Sequence, residues 1–323
     1  MEDTYSNKEH IKHQEIKYYY VNKNNLKKWN MSLGLIHIIS SVIVIGLFFL
    51  YKDKIKHSVV TTDFYYNNLT INYNLMIVLI PFPLLTGLFH LYIGSVGYKY
   101  YCSNVLYKGV NPFRWIEYSI TSTIMIWIIW TLSGGTNLIQ GSLLSVLNVM
   151  MIITGFISEY INGTNIEDDN NYIIKGNTKR TPIDIGMLIE FLYFTDKPKK
   201  TNWTFIVLGF ILFIMIWTVL LSYFLVNVVN NYKNVPWFVY VIDIGLLIMF
   251  LLFGLLMMLH YKTKDILISD INSNDTFEEY KNSHHITIFF SNRYNNEICY
   301  QLLSLSSKLF LTWILWGGII QSF

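Results

Sequence analysis

The sequence predicts an all-α membrane protein with seven transmembrane helices, and three observations lead to this class. The 323-residue chain is 53% hydrophobic and only 14% charged, whereas soluble chains average roughly 25% charged residues. Several segments reach the about 20 apolar residues that a helix needs to cross a bilayer. Polar stretches separate these segments, as expected when the connections must reach water.

Taken in chain order, the predicted helices leave two long polar loops and a polar tail. The tail, residues 1–30, carries six lysines and does not resemble a cleaved signal peptide. Residues 31–323 are predicted to form one seven-helix membrane domain, with long cytoplasmic loops at residues 163–202 and 262–296. The predicted helices are Leu33–Tyr51, Tyr73–Gly97, Pro112–Leu132, Gly141–Ile161, Trp203–Val228, Trp237–His260 and Glu297–Phe323.

The distribution of Lys and Arg predicts the orientation. The amino-terminal tail and the second, fourth and sixth loops hold 18 of these residues, and the other loops and the carboxyl end hold 4. Because cytoplasmic segments carry the excess of Lys and Arg, the amino terminus is predicted in the cytoplasm and the carboxyl terminus outside. The first extracellular loop contains HSVVTTDFYYNNLTI. Its β-branched and aromatic residues on either side of a polar break predict a short β-hairpin.

Ionisable side chains within the predicted helices are candidate functional residues, because they are costly in a bilayer. Lys308 stands out, since the surrounding sequence SLSSKLFLTWILWGGII is almost wholly apolar. Its position allows a structural ion pair, a side chain that snorkels to the interface, or an amine that forms a Schiff base. The candidates are His37, His90, Arg114, Glu117, Glu159, Asp243 and Lys308.

Glu117, in RWIEYSITSTIM, is the leading candidate for the anionic partner of Lys308. The alternatives are a solvated carboxylate at the helix end, or a pair with Arg114 three residues earlier. A helix starting at Pro112 places Glu117 only about 8 Å deep, and Lys308 is expected to lie deeper. Either the third helix begins before Pro112, or the pairing is indirect.

These features together resemble the heliorhodopsins, a retinal-binding family inverted in the membrane relative to other microbial rhodopsins. The third-helix run NPFRWIEYSITSTIM and the seventh-helix run LSLSSKLFLTW are similar to that family's signatures. The resemblance covers about Met31–Gly318, apart from the long loop after the fourth helix. It implies that Lys308 binds all-trans retinal as a protonated Schiff base with Glu117 as its counterion.

The resemblance also implies roles for other residues. Ser304 matches a serine that hydrogen-bonds near the Schiff base. A second set matches positions around the polyene, although aromatic and Met residues at such sites often serve plain packing. The polyene set is Tyr118, Ser122, Met151, Trp217 and Phe250. His37 and His90 match two histidines of a polar cavity on the cytoplasmic side, against the alternative of hydrogen-bonded core histidines.

Asp243 departs from the family pattern, which has an apolar residue at this position. Solvation near the outer surface or a hydrogen bond to a neighbouring helix would explain it, and a proton-accepting role is the functional alternative. Glu159 matches a family carboxylate of structural or interfacial role. No catalytic set, metal cluster or phosphate-binding loop is visible, and Cys102 and Cys299 lack metal-ligand spacing. The sequence therefore predicts neither an enzyme nor a nucleic-acid-binding protein.

Three hypotheses follow. The first is a light sensor that signals through a slow conformational change to an unknown cytoplasmic partner. The second is a light-gated proton channel or transporter that uses Glu117 and Asp243; some viral members of the family are implicated in proton transport. The third is a chromophore-free membrane protein in which Lys308 and Glu117 form a structural ion pair. The resemblance further implies a homodimer through the fourth and fifth helices and the outer hairpin.

Overall fold

A computed structural model describes residues 2–53, 58–64, 67–102, 104–105, 109–163, 200–270 and 285–321. Within them, helices pack side by side into a bundle. The helices are α1 (Glu2–Tyr51), α2 (Leu75–Leu79), α3 (Pro81–Gly94), α4 (Tyr98–Cys102), α5 (Pro112–Leu132), α6 (Leu138–Asn162), α7 (Thr204–Asn231), α8 (Trp237–Asp270), α9 (His285–Ser291) and α10 (Arg293–Gln321). Two strands, β1 (Ser58–Phe64) and β2 (Asn67–Tyr73), pair antiparallel after α1.

Within the described ranges, six helical segments are long and apolar enough to cross a bilayer, so the predicted helical membrane class is confirmed. They are Asn24–Tyr51, Leu75–Gly94, Leu138–Asn162, Thr204–Asn231, Trp237–Ile266 and Arg293–Gln321. The bundle closes as a ring, because each long helix contacts its neighbour in chain order and α10 returns to α1. The 21-residue helix α5 belongs to this ring and packs between α3 and α6.

Local sequence explains where the helices begin. Asn111 caps α5 by accepting a hydrogen bond from the Arg114 amide at 3.1 Å, and Pro112 occupies the first helical turn, where its missing N–H costs nothing. The predicted second helix is broken into α2 and α3 at Pro81, since proline cannot donate the hydrogen bond that would continue α2.

The observed helix ends differ from the predicted ones where helices extend beyond the apolar core. The polar tail predicted for residues 1–30 is helical from Glu2, and α1 runs on without interruption. The predicted loop 262–296 is helical at both ends, because α8 continues to Asp270 and α9 begins at His285. Hydropathy marks only the apolar part of a helix and therefore misses such extensions. Most of the predicted loop 163–202 lies outside the described residues.

The strand pair marks one end of the bundle, here called the hairpin end. The amide of Thr61 in β1 donates to the Thr136 carbonyl at 2.7 Å, just before α6. At the end of β2 the Tyr73 hydroxyl lies 2.7 Å from Thr131 Oγ1 and accepts from Trp127 Nε1 at 3.1 Å. The hairpin is therefore attached to the ends of α5 and α6. The opposite end, where α5 and α10 begin, is called the Arg114 end.

Candidate functional site

Lys308 and Glu117 form a buried ion pair in the middle of the bundle. Lys308 Nζ lies 2.5 Å from Glu117 Oε1 and donates to Ser304 Oγ at 2.9 Å. Lys308 is 3% exposed and Glu117 is 4% exposed. Three residues predicted from the sequence are thus in direct contact: Glu117 on α5, and Ser304 and Lys308 on consecutive turns of α10.

Two threonines complete the surroundings of the carboxylate. Thr86 Oγ1, from α3, donates to Glu117 Oε1 at 2.6 Å, and Thr121 Oγ1 donates to the same oxygen at 3.0 Å. With Lys308, three donors converge on one oxygen and stabilise its negative charge. The alternative of a solvated helix-end carboxylate is wrong, because Glu117 is buried. The alternative of a pair with Arg114 is also wrong, because Arg114 binds other carboxylates.

The sequence suggested that Lys308 lies deeper in the membrane than Glu117. Neither of the two explanations considered for their pairing, an earlier start of the third helix or an indirect contact, is correct. Helix α5 does begin at Pro112, and the pairing is direct. Helix α10 starts further out, since Glu297, four residues after its first residue, already accepts from Asn111 Nδ2 at 2.8 Å. Side chains on a helix point back towards its amino terminus. The long Lys308 side chain therefore reaches back to the level of Glu117.

A mainly apolar cavity of about 900 Å³ extends from the Lys308 amine between α5, α6, α7, α8 and α10. Six of the predicted residues line it: Tyr118, Ser122, Met151, Phe250, Ser304 and Lys308. Trp217 is not among the lining residues and instead packs edge-to-face on Phe250, with ring centroids 5.9 Å apart. The cavity thus has a single buried amine at one end and aromatic and Met walls, which suits a long apolar ligand that carries one carbonyl.

Several wall residues were not predicted from the sequence. Trp115, Phe210 and Gly155 line the cavity, and a Cβ atom on Gly155 would lie 2.5 Å from the Trp115 ring. Gly155 therefore lets the indole lie directly against α6. No spacing in the sequence distinguishes such glycines and aromatics from ordinary helix packing, so the wall becomes visible only in three dimensions.

The two histidines stack on the Arg114 side of the ion pair. Their ring planes differ by 3° and their centroids are 6.0 Å apart. His90 Nδ1 lies 2.9 Å from Asn30 Oδ1. His90 lines a smaller cavity of about 330 Å³ that also touches Glu117 and Ser304. His37 is not among its lining residues, and neither of its ring nitrogens has a partner in the described part of the chain.

A charged cluster closes this smaller cavity at the Arg114 end. Arg114 donates to Glu297 Oε2 at 2.6 Å and to Glu159 Oε1. Glu159 also accepts from the Trp115 indole and from the Asn111 amide. The Arg114 guanidinium lies 4.0 Å from the Tyr300 ring centroid. Glu159 is therefore a structural partner of Arg114, in line with the role expected for it.

Thr86 and Glu297 are members of the site that sequence reasoning missed. Thr86 lies on α3 and binds the Glu117 carboxylate of α5, and nothing in the sequence indicates that these two residues are close. Glu297 stood at the predicted boundary of the last helix, where a carboxylate is ordinary. The available signal was Arg114 within a predicted membrane helix, since a guanidinium placed there needs carboxylate partners.

Asp243 lies apart from the ion pair, towards the hairpin end. It is 0% exposed, and its Oδ1 accepts from Ser133 Oγ at 2.9 Å. Its Oδ2 has no partner in the described part of the chain. The suggested solvation near the outer surface is therefore wrong, and the suggested hydrogen bond to a neighbouring helix is present.

Comparison with known proteins agrees with this architecture. The heliorhodopsin family model matches residues 26–267, which include α5 with Glu117 and end before α10 with Lys308. No curated protein matches the chain. The match covers most of the chain, and the spans and the amine-ended cavity fit a membrane protein that holds a retinal chromophore. The chain belongs to the heliorhodopsin family and is a light-sensing retinal protein of rhodopsin type, integral to the membrane.

Proposed function

We propose that Lys308 holds all-trans retinal as a protonated Schiff base, that Glu117 is its counterion, and that light starts a slow photocycle that signals to the cytoplasm. The observation that carries the proposal is the buried contact between Lys308 Nζ and Glu117 Oε1 at the end of an apolar cavity. Attachment would join the Lys308 nitrogen to the retinal aldehyde carbon with release of water. Retinal would supply the absorption of visible light and a change from all-trans to 13-cis.

The protein's own residues would bind and orient the chromophore. Tyr118, whose ring centroid lies 5.2 Å from Lys308 Nζ, forms one wall next to the attachment point. Its hydroxyl donates to the Tyr300 carbonyl at 3.2 Å, which holds the ring in place. Ser122, Met151 and Phe250 would flank the polyene. Tight packing around this cavity would restrict which bond can rotate.

Glu117 and its neighbours would control the proton on the lysine nitrogen. Thr86 and Thr121 stabilise the carboxylate, and Ser304 offers a second acceptor for the nitrogen. His90 borders the polar cavity that Glu117 also lines, so it is the nearest candidate to receive a proton on that side. We propose that the stacked pair of His37 and His90 holds a released proton inside the protein during the photocycle.

We further propose that α5 is a seventh membrane span and that the Arg114 end faces the cytoplasm. Its 21 residues match the thickness of a bilayer, and the flanking spans α3 and α6 pack against it. Its Ser, Thr, Arg114 and Glu117 lower its hydropathy, but Thr121 and Arg114 donate to buried carboxylates and Ser122 donates to the Tyr118 carbonyl. The excess of Lys and Arg in the tail and in the second, fourth and sixth loops supports the orientation.

A homodimer through α6, α7 and the hairpin is also proposed. The hairpin is hydrogen-bonded to the chain just before α6, so the hairpin and the start of α6 form one surface. The unknown signalling partner would meet the cytoplasmic end, which we propose to be the Arg114 end. Size-exclusion chromatography with light scattering in detergent would give twice the 38.0 kDa chain mass for a dimer.

The proposed function is tested by adding all-trans retinal to the purified protein. A visible absorption band is expected in the wild type and in Lys262→Ala, whose lysine is exposed on α8. Lys308→Ala should show free retinal absorption only. A wild type without a visible band would contradict the proposal, and so would a band of unchanged size in Lys308→Ala.

A second candidate function is light-gated proton transport that uses Glu117 and Asp243. The observation that favours it is the buried Asp243, whose Oδ2 lacks a partner in the described part of the chain. Such a carboxylate is costly to bury and can take up a proton. It lies on the hairpin side of the ion pair and His90 lies on the other side, so the two would flank a path through Glu117.

A further inference from the structure

A polar cleft at the Arg114 end has no part in the proposed photochemistry. It lies between the end of α6, the C-terminal part of α8 and the start of α10. Lys264, Arg293 and His260 line it together with Asn162. Two cationic side chains, Lys264 and Arg293, therefore share one small cleft with the imidazole of His260.

Lys264 is the strongest sign that a ligand belongs in this cleft. The residue is only 8% exposed, and its Nζ donates to the Asn162 carbonyl at 2.9 Å. An ammonium has three N–H donors, and no carboxylate of the described part of the chain lies within ion-pair distance of this one. A buried ammonium without a direct ion pair is costly, so it is well placed to attract an anion.

Arg293 and His260 are positioned on the same cleft. The Arg293 guanidinium lies against Gly109, whose φ is +66° and where a Cβ atom would be 2.9 Å from Nε. His260 Nδ1 donates to the Phe290 carbonyl at 2.7 Å, since a carbonyl can only accept. Nε2 of the neutral ring is then a hydrogen-bond acceptor. Glycine at 109 and the fixed imidazole together shape the cleft for a compact ligand.

Among the described residues, the two carboxylates that act electrostatically on Lys264 and Arg293 are engaged elsewhere. Asp265, next to Lys264 in the chain, accepts from the Thr201 amide at 3.0 Å and from its hydroxyl at 2.8 Å. Glu159 binds Arg114, Trp115 and the Asn111 amide. Neither carboxylate therefore neutralises Lys264 through a direct ion pair.

We propose that this cleft binds an oxyanion of the phosphate class, held by Lys264 and Arg293. Arg presents a fork of N–H groups that matches phosphate oxygens, and Lys adds a point charge. Lys264 lies two residues before the end of the span Trp237–Ile266, the level at which lipid headgroups are found. The phosphate of an anionic lipid and a soluble phosphate share the chemistry that the cleft recognises.

The test follows thermal unfolding of the full chain by tryptophan fluorescence, without retinal. One arm adds inorganic phosphate in neutral detergent against chloride at equal ionic strength. The other compares nanodiscs of phosphatidylcholine with and without phosphatidylglycerol. At least one probe should raise the Tm of the wild type by about 5 °C near 100 times its Kd. A rise with phosphate indicates a soluble ligand, and a rise with phosphatidylglycerol alone indicates a lipid.

Lys264→Met and Lys262→Met form a matched pair, since Lys262 is exposed two residues earlier on α8. Lys262→Met should keep the rise and Lys264→Met should lose it, and Arg293→Gln should weaken it if Lys264→Met fails to fold. The proposal is overturned if no probe raises the Tm, or if the rise is equal in all variants. A lower Tm of Lys264→Met with no response of the wild type would show that the chain itself supplies the counter-charge.

Discussion

The Lys308 amine lies 2.5 Å from Glu117 Oε1, although the two residues are 191 positions apart in the chain. Thr86 and Thr121 donate to the same oxygen, and Ser304 accepts from the same amine. The ion pair and these hydrogen bonds offset the desolvation cost of burying both charges. Removing either partner therefore leaves the other charge buried without its counter-charge. The expected effects of mutation follow from this dependence.

The retinal-bound Glu117→Gln variant should lose its visible band at a lower pH than the wild type. Without the carboxylate, the positive charge on the Lys308 nitrogen is no longer stabilised, so its proton leaves more easily. The midpoint of an absorbance titration should fall by roughly 1–3 pH units. Glu117→Asp keeps the charge and is the matched control. An unchanged midpoint in Glu117→Gln would show that another group acts as counterion.

Thr86→Val should shift the visible band to shorter wavelength. The substitution keeps the side-chain shape but removes one donor from Glu117, so more of the carboxylate charge acts on the lysine nitrogen and stabilises the ground state. A hydrogen bond to a charged group contributes roughly 1.5–3 kcal/mol, and the substitution removes one of the hydrogen bonds that Glu117 accepts. Thr86→Ser restores the hydroxyl and should restore the wild-type spectrum. A shift to longer wavelength would contradict the assigned contact.

The sequence predicts those residues of the site whose type is unusual at their position, and it does not predict the others. Lys308 and Glu117 are charges within apolar helices, and such charges need partners, so their pairing could be anticipated. The start of α5 was also predictable, because Asn111 and Pro112 are a typical helix start. Thr86 carries no comparable signal. The depth of Lys308 depends on how far α10 extends beyond the bilayer, which hydropathy does not measure.

Arg114→Gln should destabilise the Arg114 end of the bundle. The change leaves Glu159 and Glu297 buried without their shared cation, which costs about 3–5 kcal/mol. The midpoint of thermal unfolding should fall accordingly. Adding Glu297→Gln to Arg114→Gln removes one of the stranded charges and should restore part of the loss. If the double variant is no more stable than the single one, the carboxylates are not the cause.

Asp243→Asn separates the two candidate functions. For a sensor, the absorption maximum and the photocycle should remain close to those of the wild type, because Asp243 lies outside the cavity and hydrogen-bonds to Ser133. For a transporter, photocurrents recorded under voltage clamp should be present in the wild type and lost in Asp243→Asn. Ser133→Ala is the control for the hydrogen bond alone. A normal photocycle without a photocurrent in cells that express the wild-type protein would exclude light-gated proton transport.

The position of the chromophore is the central claim, and mass spectrometry of the reduced protein tests it most directly. Borohydride reduction of the retinal-bound protein converts the Schiff base to a stable amine, and proteolysis then locates the modified residue. We expect the added mass on a peptide that contains Lys308, with fragment ions assigning it to that residue. An adduct on another lysine, or a visible band without any lysine adduct, would contradict the account.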